Sequence, residues 1–555
     1  MATVPLELQI SDLRLHNMNI ISKEELMTLN QRNEDLKLKD EQIEHFLNHQ
    51  HSLGKILYFD QKGLDHFIIV QPQSLVNILR SFITAECFWP KDEELKGILE
   101  TLRETGEITK NNLLKLWSQE KFHQHMPNGD FKEFIIQILV HLDILGEPRH
   151  YKPESYLVPC MVIHGPPTTD VISAERTICL SYRLLKSSIP SALVFRLIGA
   201  AMHVWPLQKR KERICLYHQA AIFRIDGTNE LHLSVKDDKI VVYLINEKDK
   251  VSMLPKLASA VQEHLTLTMR KALMFYHKSS ISEESNLFKL EVGDWCPPDK
   301  VFVCYISDSE VQEQTEWKCK NDKIHDKTYL RYWIINKEEH ECDSTCLGLD
   351  EKDLVSEPKE KHLFRLAYCI DINACINFFN KLGLTFTTWS NIEKQYEHEI
   401  TVSKFFALFE WKNTKYRKIL KPSFQELVDA LSTGGYSVHL ICKVFKEDLP
   451  FNEKENENIK LQEPPDDEVL NDLSAKLGDC ALHLGVELGL SVTAIKRILK
   501  KCKNDCRKET LGVMKEWKDS SQDKTILMLM KALQSADGTG FKTLTEKYSI
   551  KLKDQ

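Results

Sequence analysis

The sequence predicts a multidomain chain: an α+β region followed by two all-α helical bundles in tandem. Three observations carry this. The hydrophobic period is helical up to about residue 145 and turns strand-like over 177–245. Within about the last 200 residues a pattern of apolar residues repeats at an offset of 106 positions. Polar stretches at 148–153, 279–286 and 447–468 break the periodicity and mark linkers or long loops; the last is acidic and carries Pro450, Pro464 and Pro465.

Composition narrows the class. A length of 555 residues accommodates several domains, at a prior of about 100–200 residues each. With 42% hydrophobic and 28% charged residues the chain is ordinary globular text, not disordered, collagen-like or membrane-embedded. Its net charge of −7 offers no overall positive field to concentrate nucleic acid. No basic segment followed by an apolar stretch opens the chain. The most apolar run, 191–205, is too short for a bilayer and contains Arg196. A cytoplasmic protein with no membrane partner is expected. Its fifteen cysteines, Cys502 and Cys506 included, are then read as reduced thiols.

The elements follow in order. Residues 20–145 are mostly helical, with Leu75, Leu79 and Phe82 and again Phe134, Ile138 and Leu142 at helical spacing, punctuated by strand-like runs at 56–59 and 67–70. The stretch from Gly106 to Trp117 and the text after it read as winged-helix-like. Segments 221–225, 230–235 and 240–245 alternate and are β-branched, joined by Asp226-Gly227 and Asp237-Asp238 turns. They predict an antiparallel meander preceded by one helix, 191–203. Leu197, Ile198, Ala201 and Trp205 of that region are expected to pack on the sheet.

The repeat is the most informative feature. Leu382-Gly383-Leu384 returns as Leu488-Gly489-Leu490, Trp389 and Ile392 as Ile495 and Ile498, and Glu410-Trp411 as Glu516-Trp517. After a four-residue gap, Ala430-Leu431 returns as Ala532-Leu533. Each copy spans about 80–90 residues, room for five or six short helices and a core of its own. Leu484 and Leu488 form an i,i+4 stripe, Gly489 permits a tight exit, and Ser491 can cap the helix bearing Ile495 and Ile498. The predicted cores are Leu484, Leu488, Ile495, Ile498, Trp517 and Leu533 in one copy and Trp389, Ile392, Trp411 and Leu431 in the other.

In the second copy Leu477-Gly478, Leu484, Leu488-Gly489-Leu490, Ile495, Ile498, Met514, Trp517 and Ala532-Leu533 fall in an order that resembles a death domain, over 466–548. Ala481 stands where many members carry tryptophan. The first copy, 363–446, resembles the family in more diverged form, with Phe378 and Cys375 in place of Leu484 and Ala481. Upstream, Leu53-Gly54, Ile56-Leu57-Tyr58-Phe59, the run from Val70 to Val76, Gly106, Ile108, the run from Leu113 to Trp117, Tyr156-Leu157-Val158-Pro159, Ile189-Pro190 and Phe195-Arg196-Leu197-Ile198 resemble the COR domain. That domain follows a Ras-like GTPase in Roco proteins. The resemblances imply a COR-like winged-helix-like part at 20–165 and a COR-like helix plus β-meander at 166–280. An unclassified connector at 281–362 follows, then a six-helix death-fold bundle at 363–446, an acidic linker at 447–465 and a second such bundle at 466–548.

Function follows from what is present and what is missing. No G-x-x-x-x-G-K-[S/T] loop occurs, and Gly54-Lys55 is followed by Ile56, so no nucleotide cradle and no cofactor are expected. No nucleophile–base order or paired carboxylates stand out, so the chain is not expected to be an enzyme. The resemblance implies a signalling adaptor or scaffold that assembles complexes through homotypic death-domain interactions in apoptosis or innate immunity, with self-association as a further option. The alternative is a regulatory fragment of a Roco-type protein acting with a GTPase in trans. A nucleic-acid role for the winged-helix-like part is disfavoured, because no basic recognition face accompanies it.

The candidate partner surface is the basic run Lys496, Arg497, Lys500, Lys501, Lys503, Arg507 and Lys508, set against a single Asp505, while acidic residues gather at Asp466, Asp467, Glu468 and Asp472. Such a run is either a solvated face or a charge-complementary docking surface. Cys296, Cys304, Cys319, His325, His340, Cys342 and Cys346 are zinc ligands by type, but no C-x-x-C pair occurs among them. They are read as buried thiols and surface histidines of the connector, and no metal is expected.

Overall fold

A computed structural model describes residues 4–550 apart from 17, 33–36, 62, 124–125, 127–128, 149–150, 167–171, 186–187, 212, 254, 278–286, 297–302, 308–315, 335–341, 343–345, 397–398, 446–458, 503–504 and 523. The chain divides into two compact units: residues 1–166 with 216–219, and residues 167–215 with 220–555. The first has mixed α/β structure, and the C-terminal part of the second is almost entirely helical.

In the first unit, helices α1 (Val4–Leu15), α2 (Lys23–Gln31) and α3 (Asp40–Ser52) surround the short antiparallel pair β1 (Ile20–Ser22) and β2 (Phe67–Ile69). Their core gathers Leu6, Ile10, Ile21, Leu26, Phe46, Ile56, Tyr58 and Ile68. Helix α1 thus belongs to this core, although it lies ahead of the start expected at residue 20. A capping box opens α2: Ser22 accepts from the Glu25 N–H, and the Glu25 carboxylate accepts from the Ser22 N–H. A second core lies under α4 (Pro72–Leu79), α5 (Glu93–Thr105), α6 (Lys110–Trp117) and α7 (Gly129–His141). Pro72 occupies the first turn of α4, where its missing N–H costs nothing. Trp117 is fully buried, and its Nε1–H donates to Ser81 Oγ at 2.9 Å. Strands β3 (Glu107–Thr109) and β4 (Ser155–Leu157) pair antiparallel, Ile108 opposite Tyr156, and close this half.

In the second unit the sheet runs in the order β10-β9-β5-β8-β7-β6. Its strands are β5 (Thr177–Leu184), β6 (Ala220–Arg224), β7 (Asn229–Lys236), β8 (Lys239–Asn246), β9 (Phe288–Trp295) and β10 (Val303–Ser307), and adjacent strands are antiparallel. The expected meander is β6-β7-β8. The sheet does not stop at residue 280, however. β9 and β10, in the stretch read as a connector, continue it beyond β5, with Val292 opposite Leu180. Helix α8 (Ser191–Val204) lies against β6 and β7 and against the long helix α9 (Pro255–His277), so its apolar run is core. A hairpin, β11 (Glu316–Lys318) and β12 (Ile324–Asp326), follows.

Twelve helices then form two successive groups of six. The first is α10 (Glu360–Cys369), α11 (Ile372–Lys381), α12 (Phe386–Gln395), α13 (Ile400–Arg417), α14 (Phe424–Thr433) and α15 (Leu440–Phe445). A short helix, α16 (Ile459–Gln462), leads into the second: α17 (Asp467–Lys476), α18 (Ala481–Glu487), α19 (Val492–Cys502), α20 (Cys506–Ser520), α21 (Ile526–Ala536) and α22 (Gly538–Lys547). Leu461, inside the stretch expected to be a linker, is buried. The two groups share one continuous hydrophobic core.

Candidate functional site: a basic helix face and two thiol–histidine clusters

The repeat maps element onto element. Gly383 leaves α11 and Gly489 leaves α18 with φ of 81° and 80°, the left-handed turn glycine adopts without strain. Thr385 and Ser491 cap the next helices, accepting from the N–H groups of Thr388 and Ala494. Trp411 on α13 and Trp517 on α20 are both fully buried. Of the expected core, Leu484, Leu488, Ile495, Ile498, Leu533, Trp389 and Leu431 are buried as well, and Ile392 is partly buried.

The basic run is split by this geometry. Lys496, Arg497, Lys500 and Lys501 lie exposed on α19, Arg507 and Lys508 on α20, and Lys503 lies outside the described residues. Cys502 accordingly ends α19 and Cys506 begins α20. Lys496 is engaged by the first helical group: its Nζ donates to Tyr396 Oη at 3.0 Å and stands 4.1 Å from the centre of the Phe406 ring. Arg497 pairs with Glu516 at 2.8 Å, and Lys508 with Asp505 at 2.8 Å. Lys500, Lys501 and Arg507 make no ion pair among the described residues. The acidic cluster is also used locally, since Asp466 caps α17 and Asp467 pairs with Lys518.

Two buried ion pairs escaped the sequence reading. Arg365 on α10 grips Glu487 on α18 through Nε at 2.7 Å and Nη2 at 2.5 Å, a bidentate clasp between the helical groups. Burial would raise the Glu487 carboxyl, but the neighbouring His483 ring, 3.4 Å away, and the Arg365 guanidinium outweigh it and hold the group at about 2. Lys404 on α13 meets Glu263 on α9 at 2.8 and 3.1 Å, and its Nζ also donates to the Ile370 carbonyl at 2.6 Å.

The cysteine-rich stretch is brought together as well. Cys296, Cys304, Cys319 and His325 converge, all four ligand atoms lying within 4.8 Å of one another. Cys342, Cys346, His439 and Cys442 form a second such group, and His340 lies outside the described residues. All fifteen cysteines are free thiols. Sequence spacing concealed both groups, because Cys296 and His325 are 29 positions apart and His439 and Cys442 belong to the first helical group. Among the described residues, no helix is long and apolar enough to cross a membrane.

Residues 6–162 match the family described as C-terminal of Roc, COR-A domain. The N-terminal unit therefore carries the COR-type segment its motifs resemble, and this suggests a relationship to Roco proteins. No curated protein matches the chain.

Proposed function

We propose that the chain is a non-enzymatic signalling scaffold in which residues 363–446 and 466–548 are death folds that recruit similar bundles. One observation carries the reading: the two six-helix groups superpose in sequence, with the same glycine turns, capped helices and buried tryptophans at matching positions. The recruiting surface is the outward face of α19, where Lys500 and Lys501 have no ion-pair partner among the described residues. Small charge-complementary interfaces of this kind gain affinity when several act together, which suits assembly into larger complexes. The test is binding of the immobilised full chain to purified death domains, death-effector domains and caspase-recruitment domains at low and high salt. Salt-sensitive capture of at least one supports the scaffold; no capture of any at low salt removes it.

The COR-A match favours a second reading, in which the N-terminal unit receives a Roc-type GTPase in trans. The chain alone is then expected to give no heat with GTP in calorimetry, since it holds no phosphate-cradling loop. Nucleotide-dependent retention of an added Roc module would favour this reading, and micromolar GTP affinity of the chain itself would overturn both.

A further inference from the structure

We propose that Cys296, Cys304, Cys319 and His325 form a structural zinc site, and that Cys342, Cys346, His439 and Cys442 form a second.

The first site is built from three strand ends and a turn. Cys296 follows β9, Cys304 lies on the paired β10, and Cys319 and His325 sit on the β11–β12 hairpin. Zinc holds thiolate sulfur at about 2.3 Å and imidazole nitrogen at about 2.0–2.1 Å in a tetrahedron. Ligand atoms around one ion therefore lie roughly 3.8 Å apart for two sulfurs and roughly 3.5 Å for sulfur and nitrogen. Cys296 Sγ stands 3.7 Å from Cys319 Sγ and 3.7 Å from His325 Nε2. Its 3.0 Å approach to Cys304 Sγ opens slightly on binding. Such close spacing suits a single ion. An iron–sulfur cluster would spread its thiolates over several irons.

The surroundings are those of a closed site. The coordinating nitrogen of His325 is Nε2, and its Nδ1 faces Asp294 Oδ2 at 3.1 Å, the outer carboxylate that fixes a metal-bound imidazole. Donors point at the sulfurs: the Asn321 N–H reaches Cys319 Sγ at 3.4 Å, and Asn321 Nδ2 reaches Cys296 and Cys304 at 3.6 and 3.7 Å. The hairpin itself argues for a metal. Its strands have three residues each, and the only fully buried strand side chain is His325. So short a hairpin has too little apolar surface to hold itself in place. With four protein ligands and no open position, the ion would be structural rather than catalytic.

The second site stands on its own geometry. It joins two chelating pairs: Cys342 and Cys346 from the segment ahead of α10, and His439 and Cys442 at the start of α15, Nδ1 and Sγ 3.9 Å apart. Cys-x-x-x-Cys falls within the spacing zinc sites use. Bound there, the ion would clip the segment before α10 to the first helical group.

The experiment uses the full chain purified without chelator. Elemental analysis is expected to find two zinc ions per chain, with one lost in Cys319→Ser, the other in Cys442→Ser and both in the double variant. Cobalt added to the chelator-stripped protein should give the intense visible bands of tetrahedral coordination and a thiolate-to-cobalt charge-transfer band. This readout on the unaltered chain holds even where a variant fails to fold. Metal-free protein whose melting curve ignores chelator, iron or copper in place of zinc, or cobalt binding without a thiolate band would each overturn the proposal.

Discussion

His264 sits in α9 with its ring in a T-shaped contact with Trp205, 5.1 Å between centroids, and its Nε2 has no hydrogen-bond partner among the described residues. Burial holds its pKa down at about 4, assisted by the charges of Lys271 and His203 and opposed by a backbone hydrogen bond at Ala200. The unfolded chain binds that proton near pH 6.5, so the folded state is fully favoured above 6.5 and loses stability as pH falls toward 4. Complete burial makes the full difference count, about 3 kcal/mol across that window. His264→Phe should flatten the stability profile between pH 6.5 and 4 by about that amount in urea denaturation. A variant as pH-sensitive as the parent would show that His264 is not the group responsible.

Helix α19 shows how an element divides a charge run that looks uniform in sequence. Ile495 and Ile498 bury one stripe, leaving the lysines outward, and that much follows from helical spacing alone. The capture of Lys496 by Tyr396, 100 positions away, does not. Lys500 and Lys501 also occupy the last turn, where cations suit the helix dipole. That placement alone stabilises the helix by about 0.3–1 kcal/mol for each lysine. Lys500→Glu with Lys501→Glu should cost about 1–2 kcal/mol of stability. It should also weaken binding to an acidic death-fold partner at least tenfold at low salt, about 1.4 kcal/mol. Co-sedimentation at two salt concentrations separates these effects, and unchanged association at both leaves the lysines a solvated face. The same contrast governs the sheet. β6, β7 and β8 are legible because each pairs with its sequence neighbour across a short turn. β9 and β10 are not, because β9 finds its partner β5 across more than a hundred residues. The thiol–histidine groups were hidden for the same reason, since no local spacing records a convergence made by tertiary pairing.

At the scale of the second unit, the sheet and the twelve helices are bound by contacts that reach their centres. One hydrophobic core runs through both helical groups, and Arg365–Glu487 crosses between them. The Asp226-Gly227 turn of the sheet meets the end of α17, where the Gly227 N–H donates to the Lys476 carbonyl at 2.8 Å. A Cβ at Gly227 would stand 2.5 Å from that carbonyl oxygen, so only glycine lets the two backbones come this close. The deepest tie is Lys404–Glu263, both side chains almost completely buried, with Glu263 Oε1 also accepting from the Ile372 N–H at 2.7 Å. Glu263→Gln strands the Lys404 charge, a loss of about 3–5 kcal/mol for a broken buried pair. Adding Lys404→Met removes that stranded charge, so the double variant should be more stable than Glu263→Gln alone. Because α9 and α13 carry the pair, the destabilisation should reach beyond the contact. Hydrogen exchange is expected to show β8, α13 and α20 losing protection together in Glu263→Gln. Wild-type protection of α20 alongside a weakened β8 would instead mean that the second helical group folds independently of the sheet, as the repeat taken alone suggests.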